Sequence, residues 1–260
     1  MTPKPGGQNG QAETVRQGAR PSDGSRSTTH PGQTPLKDQR HLSSYYLRWL
    51  GNSALYAVTS GIGATAIAAL AGYAFAKLRF VGRNALFALL LGLIMVPATA
   101  LVLPTYLMMA EIELVNSVWA VILPSLLNPF GVYLLRVYAY DSVPDEMLEA
   151  ARIDGAGEFR VFRSVALPAM RPALVTVLLF SMVATWNNFF LPLVMLSDQD
   201  LYPLTVGLRS WYLSATIGNG GPALFNVIVI GSLVAIIPLI AAFLLLQRYW
   251  RGGLTIGALK

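Results

Sequence analysis

The chain contains no cysteine among its 260 residues. A disulfide framework and thiol-based catalysis are therefore both excluded. Histidine is nearly absent, and the two present, His30 and His41, both lie in the polar N-terminal region. Because His and Cys are the usual ligands of transition metals, the sequence predicts no metal site and no cofactor.

Charged residues are also scarce. They make up only 12% of the chain, while hydrophobic residues make up 54%, against a usual charged share of roughly a quarter. A soluble core of this size does not need that imbalance, so the composition predicts a protein embedded in lipid. The net charge of +6 is better explained by Lys and Arg retained at the cytoplasmic surface than by binding to nucleic acid.

Two further absences bear on catalysis. No Gly-x-x-x-x-Gly-Lys-Ser/Thr run occurs, so the chain is not expected to bind or hydrolyse ATP itself. The apolar stretches hold no His, Cys, Asp or Glu placed beside a suitable nucleophile, which argues against an intramembrane enzyme. We therefore assign no catalytic residue.

The chain divides into two regions. Residues 1–44 are rich in Gly, Pro, Ser, Thr, Gln and Arg, and the sequence predicts a disordered polar tail rather than a signal peptide. Residues 45–260 are predicted to form one all-α transmembrane domain, because each of its apolar stretches approaches the ~20 residues of a spanning helix. The five predicted spans are about 52–76, 85–109, 117–137, 172–196 and 224–246.

Loop charges predict the orientation of the spans. The loop at 77–84 carries three basic side chains, whereas the next loop has Glu111 and Glu113 and no basic residue. Basic loops face the cytoplasm, which places there the 77–84 loop, the 141–171 loop and the C-terminus. The first 50 residues, predicted to lie outside, carry seven Lys and Arg residues and break this rule.

Small residues recur along the first predicted span. Ala64, Ala68, Gly72 and Ala76 are spaced every four residues, which aligns them on one helix face. Such a face allows another helix backbone to approach closely, although Ala and Gly are also common in membrane helices generally.

The 141–171 loop is unusually charged for this chain. Ser142 is a predicted N-cap, with Asp145 completing a capping box and Pro144 in the first turn. The helix would continue to Asp154, and Gly155 suits a left-handed position after it.

A second short helix is predicted from Gly157 to Pro168, with Phe159, Phe162 and Ala166 on one side. Two interpretations stay open from spacing alone. This helix pair is either a rigid knob that fits a partner protein or an interfacial helix pair on the lipid head groups.

Eight residues within the 148–168 part of this loop form a pattern of defined spacing. They are Glu149, Ala150, Ala151, Asp154, Gly155, Val165, Leu167 and Pro168. This pattern resembles the EAA loop of permease subunits of bacterial ABC importers, with Val165 where Ile is usual.

The likeness extends over about residues 45–260. Segments 52–55, 73–80, 95–97, 186–189 and 246–258 are similar to the carbohydrate-importing branch, and above all to the second permease of maltose-type sugar importers. The resemblance implies the type I importer permease fold in the bacterial inner membrane. It also implies a second permease subunit, a dimer of cytoplasmic ATP-binding subunits and an extracytoplasmic solute-binding protein as partners.

The resemblance implies roles for particular residues. Glu149 would contact the ATPase through a basic side chain, Ala150 and Ala151 would keep that contact close, and Gly155 would form the sharp turn. ATP binding would then move the loop and swing the spans between inward-facing and outward-facing states.

Three further residues, Trp186, Asn187 and Asn188, are candidates for the translocation path by the same resemblance. Trp186 is also typical of an interfacial anchor, and Asn188 stands where relatives often have Glu. The family usually has one more N-terminal span, which is missing from the five predicted here.

An ion-coupled secondary transporter is the alternative function. Such proteins need ionisable groups at mid-membrane, and the predicted spans hold almost none, since Arg136 lies near a span end.

Overall fold

The computed structural model describes residues 35–217 and 221–247, and that part of the chain is helical without any strand. The helices before the charged loop are α1 (Pro35–Lys77), α2 (Arg83–Ile94), α3 (Val102–Glu111), α4 (Val118–Ser125) and α5 (Pro129–Ser142). The loop and the remainder form α6 (Asp145–Ile153), α7 (Glu158–Val161), α8 (Leu167–Ala169), α9 (Arg171–Trp186), α10 (Phe190–Met195), α11 (Leu204–Ile217), α12 (Gly221–Val234) and α13 (Ile236–Leu246).

Several of these helices are long and apolar enough to cross a membrane. Three segments within the described residues meet that condition without a sharp bend: Ser43–Lys77 in α1, Val118–Ser142 across α4 and α5, and Leu224–Leu245 across α12 and α13. Arg83–Glu111 and Glu158–Trp186 meet it only as helix pairs, bent by 101° and 81°. The described chain therefore holds three spans, or five if each bent pair counts as one.

Four of the five predicted spans are interrupted in the structure. The 117–137 stretch breaks between α4 and α5 and the 224–246 stretch at Ala235, and two further stretches are interrupted as well. The 85–109 stretch breaks after Ile94, because Pro97 lacks the N–H that would continue the ladder. The 172–196 stretch breaks after Trp186 and resumes at Phe190. Apolarity alone predicted unbroken helices, and it does not reveal where the backbone turns.

Helix also occurs outside the five predicted spans. The helix α1 already begins at Pro35, inside the predicted 1–44 tail, because extending an existing helix is far less costly than nucleating one. The predicted disorder of residues 1–34 lies outside the described residues. The 198–223 connection contains α11, which packs against α1 and α12.

The centre of the bundle is α1, which packs against α5 and α9. Its small-residue face is in contact with α5: a Cβ added at Gly72 would lie 2.9 Å from the backbone nitrogen of Arg136. Ala64 and Ala68 are fully buried. The predicted close approach of a second helix backbone is confirmed.

The two ends of the bundle carry different loops. At one end the Lys77 side chain contacts Asp145, so the 77–84 and 141–171 loops lie together, as the charge pattern predicted. At the opposite end the Tyr56 hydroxyl donates to the Leu201 carbonyl at 2.8 Å, and the Asn52 amide donates to neighbouring carbonyls.

Candidate coupling site

The first helix of the charged loop, α6, begins at Asp145, with Pro144 in the N-cap position and no side-chain cap. The predicted Ser142 capping box is wrong, because Ser142 is the last residue of α5. The Asp145 carboxylate instead accepts a hydrogen bond from Lys77 Nζ at 2.8 Å. The charged Lys77 ammonium is a stronger donor to a carboxylate than a neutral backbone N–H.

The Lys77–Asp145 contact connects the loop to the end of α1. The Lys77 side chain is only 6% exposed, whereas that of Asp145 is 74% exposed. The hydrogen bond from Lys77, together with its charge, lowers the pKa of the Asp145 carboxyl below its usual value. The Asp145 carboxyl is therefore ionised at neutral pH.

A glycine turn separates α6 from the second helix. Gly155 has φ of +82°, the left-handed conformation predicted for it. The Gly155 N–H donates to the Arg152 carbonyl and the Ala156 N–H to the Ala151 carbonyl, both at 3.0 Å. Across the turn, Arg152 Nε lies 2.7 Å from a Glu158 carboxylate oxygen.

The second helix starts after Gly157, as predicted, and includes a π-helical turn over Phe162–Ala166. Phe162 and Ala166 are buried, but Phe159 is 71% exposed. Phe159 and Phe162 nevertheless line the same apolar groove, so the predicted common side is seen for these two residues.

The second helix ends at Ala169, one residue beyond the predicted end at Pro168. Leu167 and Pro168 lie in its last turn, directly after the π turn. Both are half-buried. The chain then bends at Met170 into α9, so Leu167 and Pro168 precede the 81° bend.

The motif residues of α6 and its turn lie mostly on one solvent-facing surface. Glu149, Ala150, Asp154 and Gly155 are exposed, and Ala151 is half-buried. On the opposite side of the helix Leu148 is only 2% exposed. The helix is therefore amphipathic, with the acidic part of the motif outward.

The inward face of the loop is packed onto the spans. The Tyr73 ring of α1 lies 5.1 Å from that of Phe162. Sequence reasoning missed Tyr73, and its position in an apolar stretch gives no signal. The buried cluster that joins loop and spans contains Ala68, Tyr73, Leu135, Ala139, Leu148, Val161, Phe162, Ala166 and Met170.

The predicted path residues lie at the other end of α9, about 24 Å from its first residue at 1.5 Å per residue. Trp186 is buried, Asn187 is exposed and Asn188 is half-buried. The Asn187 side-chain amide donates to the Val183 carbonyl at 2.9 Å. The structure thus separates the two sets of predicted residues rather than joining them in one site.

No group of three or more His, Cys, Asp or Glu side chains is arranged to hold a metal ion within residues 35–217 and 221–247.

Comparison with known proteins identifies the family of this chain. Residues 55–251 match the model of the "Binding-protein-dependent transport system inner membrane component" family. The chain belongs to this family. It is therefore a permease subunit of an ABC importer in the inner membrane, and nothing supports the ion-coupled alternative.

Curated relatives and a solved structure agree with that assignment. The arabinooligosaccharides transport system permease protein AraQ of Halalkalibacterium halodurans is 36% identical over 83% of this chain and 75% of its own. The sn-glycerol-3-phosphate transport system permease protein UgpE of Yersinia enterocolitica is 31% identical over 79% and 71%. In fold, the chain is similar to a bacterial ABC transporter that imports the acidic polysaccharide alginate, with TM-score 0.70 and 24% identity, over 82% of this chain and 78% of that one.

Proposed function

We propose that this permease imports a carbohydrate or a related polyhydroxylated solute. It would form half of the translocation pathway beside a second permease, receive solute from an extracytoplasmic binding protein, and dock its 148–168 loop into a cytoplasmic ATPase dimer. The names of AraQ and UgpE support this solute class.

The surface charge of the loop supports a protein partner over a lipid surface. Residues 141–158 hold six acidic side chains and one basic residue, Arg152. Interfacial helices are typically rich in Lys and Arg on their polar face, because the cytoplasmic leaflet is anionic. The second helix carries the exposed Arg160 and Arg163, but α6 and its turn are acidic. That part of the loop is repelled by the leaflet, whereas a basic cleft on a protein would attract it.

Exposed apolar side chains also support protein docking. Met147 is 52% exposed, Ile153 86% and Phe159 71%, and they flank the acidic Glu149 and Asp154. Large apolar residues beside complementary charge are typical of interface centres. Glu149 would accept a charge-assisted hydrogen bond from a basic side chain of the ATPase.

The observation that carries the coupling proposal is the buried attachment of the loop to the spans. Leu148 of α6 and Phe162 of the second helix belong to the same buried cluster as Tyr73 and Leu135 of the spans. Packed interiors transmit displacement because they hold few voids. A movement of α6 driven by the ATPase would therefore reach α1 and α5.

The test compares Glu149→Ala with wild type in the full importer reconstituted in proteoliposomes. Losing a hydrogen bond to a charged group costs about 1.5–3 kcal/mol, so we expect roughly a 10- to 150-fold loss of ATPase affinity, with a matching loss of ATP-driven uptake. Glu111→Ala is the matched control, because Glu111 is exposed at the opposite end of the bundle. Wild-type uptake by Glu149→Ala would refute the docking role.

A further inference from the structure

The break in the 172–196 stretch places irregular backbone inside an apolar segment. Residues 187–189 are not helical, and they lie between α9 and α10. Non-helical backbone at membrane depth is tolerated only where protein covers it or where it lines a water-filled cavity. Asn187 is exposed, so protein does not cover this break fully within the chain.

The helix α11 brings two polar side chains to this break. The Thr205 hydroxyl donates to the Asn188 carbonyl at 2.9 Å. Arg209, one helical turn further along α11, places its guanidinium carbon 5.5 Å from the Phe189 ring centroid. Arg209 is exposed.

The charge of Arg209 has no acidic partner within ion-pair distance among the described residues. The two acidic residues that precede α11 are engaged elsewhere. Asp200 pairs with Arg48, and an Asp198 carboxylate oxygen accepts the Asp200 N–H at 2.9 Å. An unpaired arginine is costly against lipid, so Arg209 is expected to face water.

From this arrangement we infer that Arg209, Asn187 and Phe189 form a subsite on the solute path for the acidic group of an anionic carbohydrate. This inference rests on the proposed function and narrows its solute class. A guanidinium binds carboxylate or phosphate oxygens in a planar bidentate geometry. The ring of Phe189 holds the guanidinium by a cation–π contact. The exposed Asn187 side chain, two residues before Phe189, would offer its amide oxygen to sugar hydroxyls.

The location fits a path through the bundle. Binding sites of many transporters lie where membrane helices are interrupted, because the freed backbone groups and side chains there face the solute. The break at 187–189 meets that condition. A neutral sugar has no acidic group to pair with Arg209. Substitution of Arg209 should therefore affect the transport of acidic and neutral solutes differently in the test below.

The test measures uptake by the full importer, with its own binding protein and ATPase, in proteoliposomes. The probes are trigalacturonate, its neutral counterpart galactotriose, and sn-glycerol 3-phosphate, so that carboxylate and phosphate are distinguished. We expect uptake of at least one acidic probe. For that probe, Arg209→Gln should raise KM at least tenfold, and Arg209→Lys should raise it less.

Two controls separate the possible failures. Arg48→Gln removes the same charge from an exposed ion pair on the same end of the bundle, and it should transport like wild type. If the proposed docking to the ATPase is wrong, Glu149→Ala will show normal uptake. Uptake of neither acidic probe, or a wild-type KM in Arg209→Gln for the acidic probe, overturns the assignment of this subsite.

Discussion

The left-handed backbone conformation at Gly155 restricts which residue can occupy this position. Its φ of +82° favours glycine, yet a Cβ there would meet nothing within 4 Å. Any cost of substitution therefore comes from the backbone conformation and not from a clash. Gly157 has equally open space but φ of −68°, which any residue adopts.

These two glycines give a matched pair of variants. We expect Gly155→Ala to destabilise the turn by about 1–2 kcal/mol and to lower binding-protein-stimulated ATP hydrolysis. Gly157→Ala should leave both unchanged. Hydrogen exchange of the 145–165 amides measures the turn directly, and equal protection in the two variants would contradict this account.

Asp145 gives a pH-dependent prediction. Its pKa is lowered in the folded protein by Lys77, so its contribution to stability is present above the usual carboxyl pKa and is lost as pH falls through the lower folded-state value. The stability difference between wild type and Asp145→Asn should be constant from about pH 5 to 8, begin to shrink near the ordinary carboxyl pKa of about 4, and vanish only below the lowered folded-state pKa.

Thermal unfolding of the detergent-solubilised protein at several pH values measures that difference. Asp154→Asn is the control, because Asp154 is exposed and no salt bridge involves it among the described residues. A difference that shrinks between pH 8 and 6 would be inconsistent with a lowered pKa.

At the scale of elements, the contact of α1 with α11 depends on one glycine. A Cβ at Gly207 would collide with the Trp49 ring, which is 1% exposed and lies 4.8 Å from the Trp211 ring. Trp49 also donates its indole N–H to the Gln199 carbonyl at 2.8 Å. The ring is therefore fixed and cannot move aside without losing that bond.

We predict that Gly207→Ala costs about 1–3 kcal/mol of stability, as for other overpacked sites. Gly51→Ala is its counterpart in α1, where a Cβ meets nothing within 4 Å. Because Gly51 lies within a helix, that change should stabilise the protein by about 0.5–1 kcal/mol. Thermal unfolding of both variants measures whether each substitution stabilises or destabilises the protein. A loss of stability in Gly51→Ala would contradict this prediction.

At the scale of the whole molecule, the absence of cysteine makes topology easy to measure. Single cysteines at exposed positions can be labelled with a membrane-impermeant thiol reagent without a background signal. We expect Asp154→Cys to react only after the membrane is opened, and Glu113→Cys to react in intact spheroplasts.

The same assay tests the arrangement at a third position. Val81 lies in the loop after α1 and is fully exposed. Val81→Cys should behave like Asp154→Cys, since both loops lie at one end of the bundle. Labelling of Val81→Cys in intact spheroplasts would reverse the predicted orientation.

The sequence by itself determined that this is a membrane protein, where its apolar stretches lie, and that basic and acidic loops alternate along the chain. It also identified the motif loop and the glycine turn within it. These features depend on local composition, on charge and on fixed spacing, so each can be recognised without knowing what any residue contacts.

Only the tertiary structure decided which residues hold the loop to the spans. Lys77, Tyr73 and Phe162 act through partners distant in sequence, and no feature of the composition signals the π turn over Phe162–Ala166. The break at 187–189 and its neighbour Arg209 likewise depend on how α11 packs. Long-range packing selects among helices that are nearly equal in apolarity, and so the sequence pattern alone does not determine these contacts.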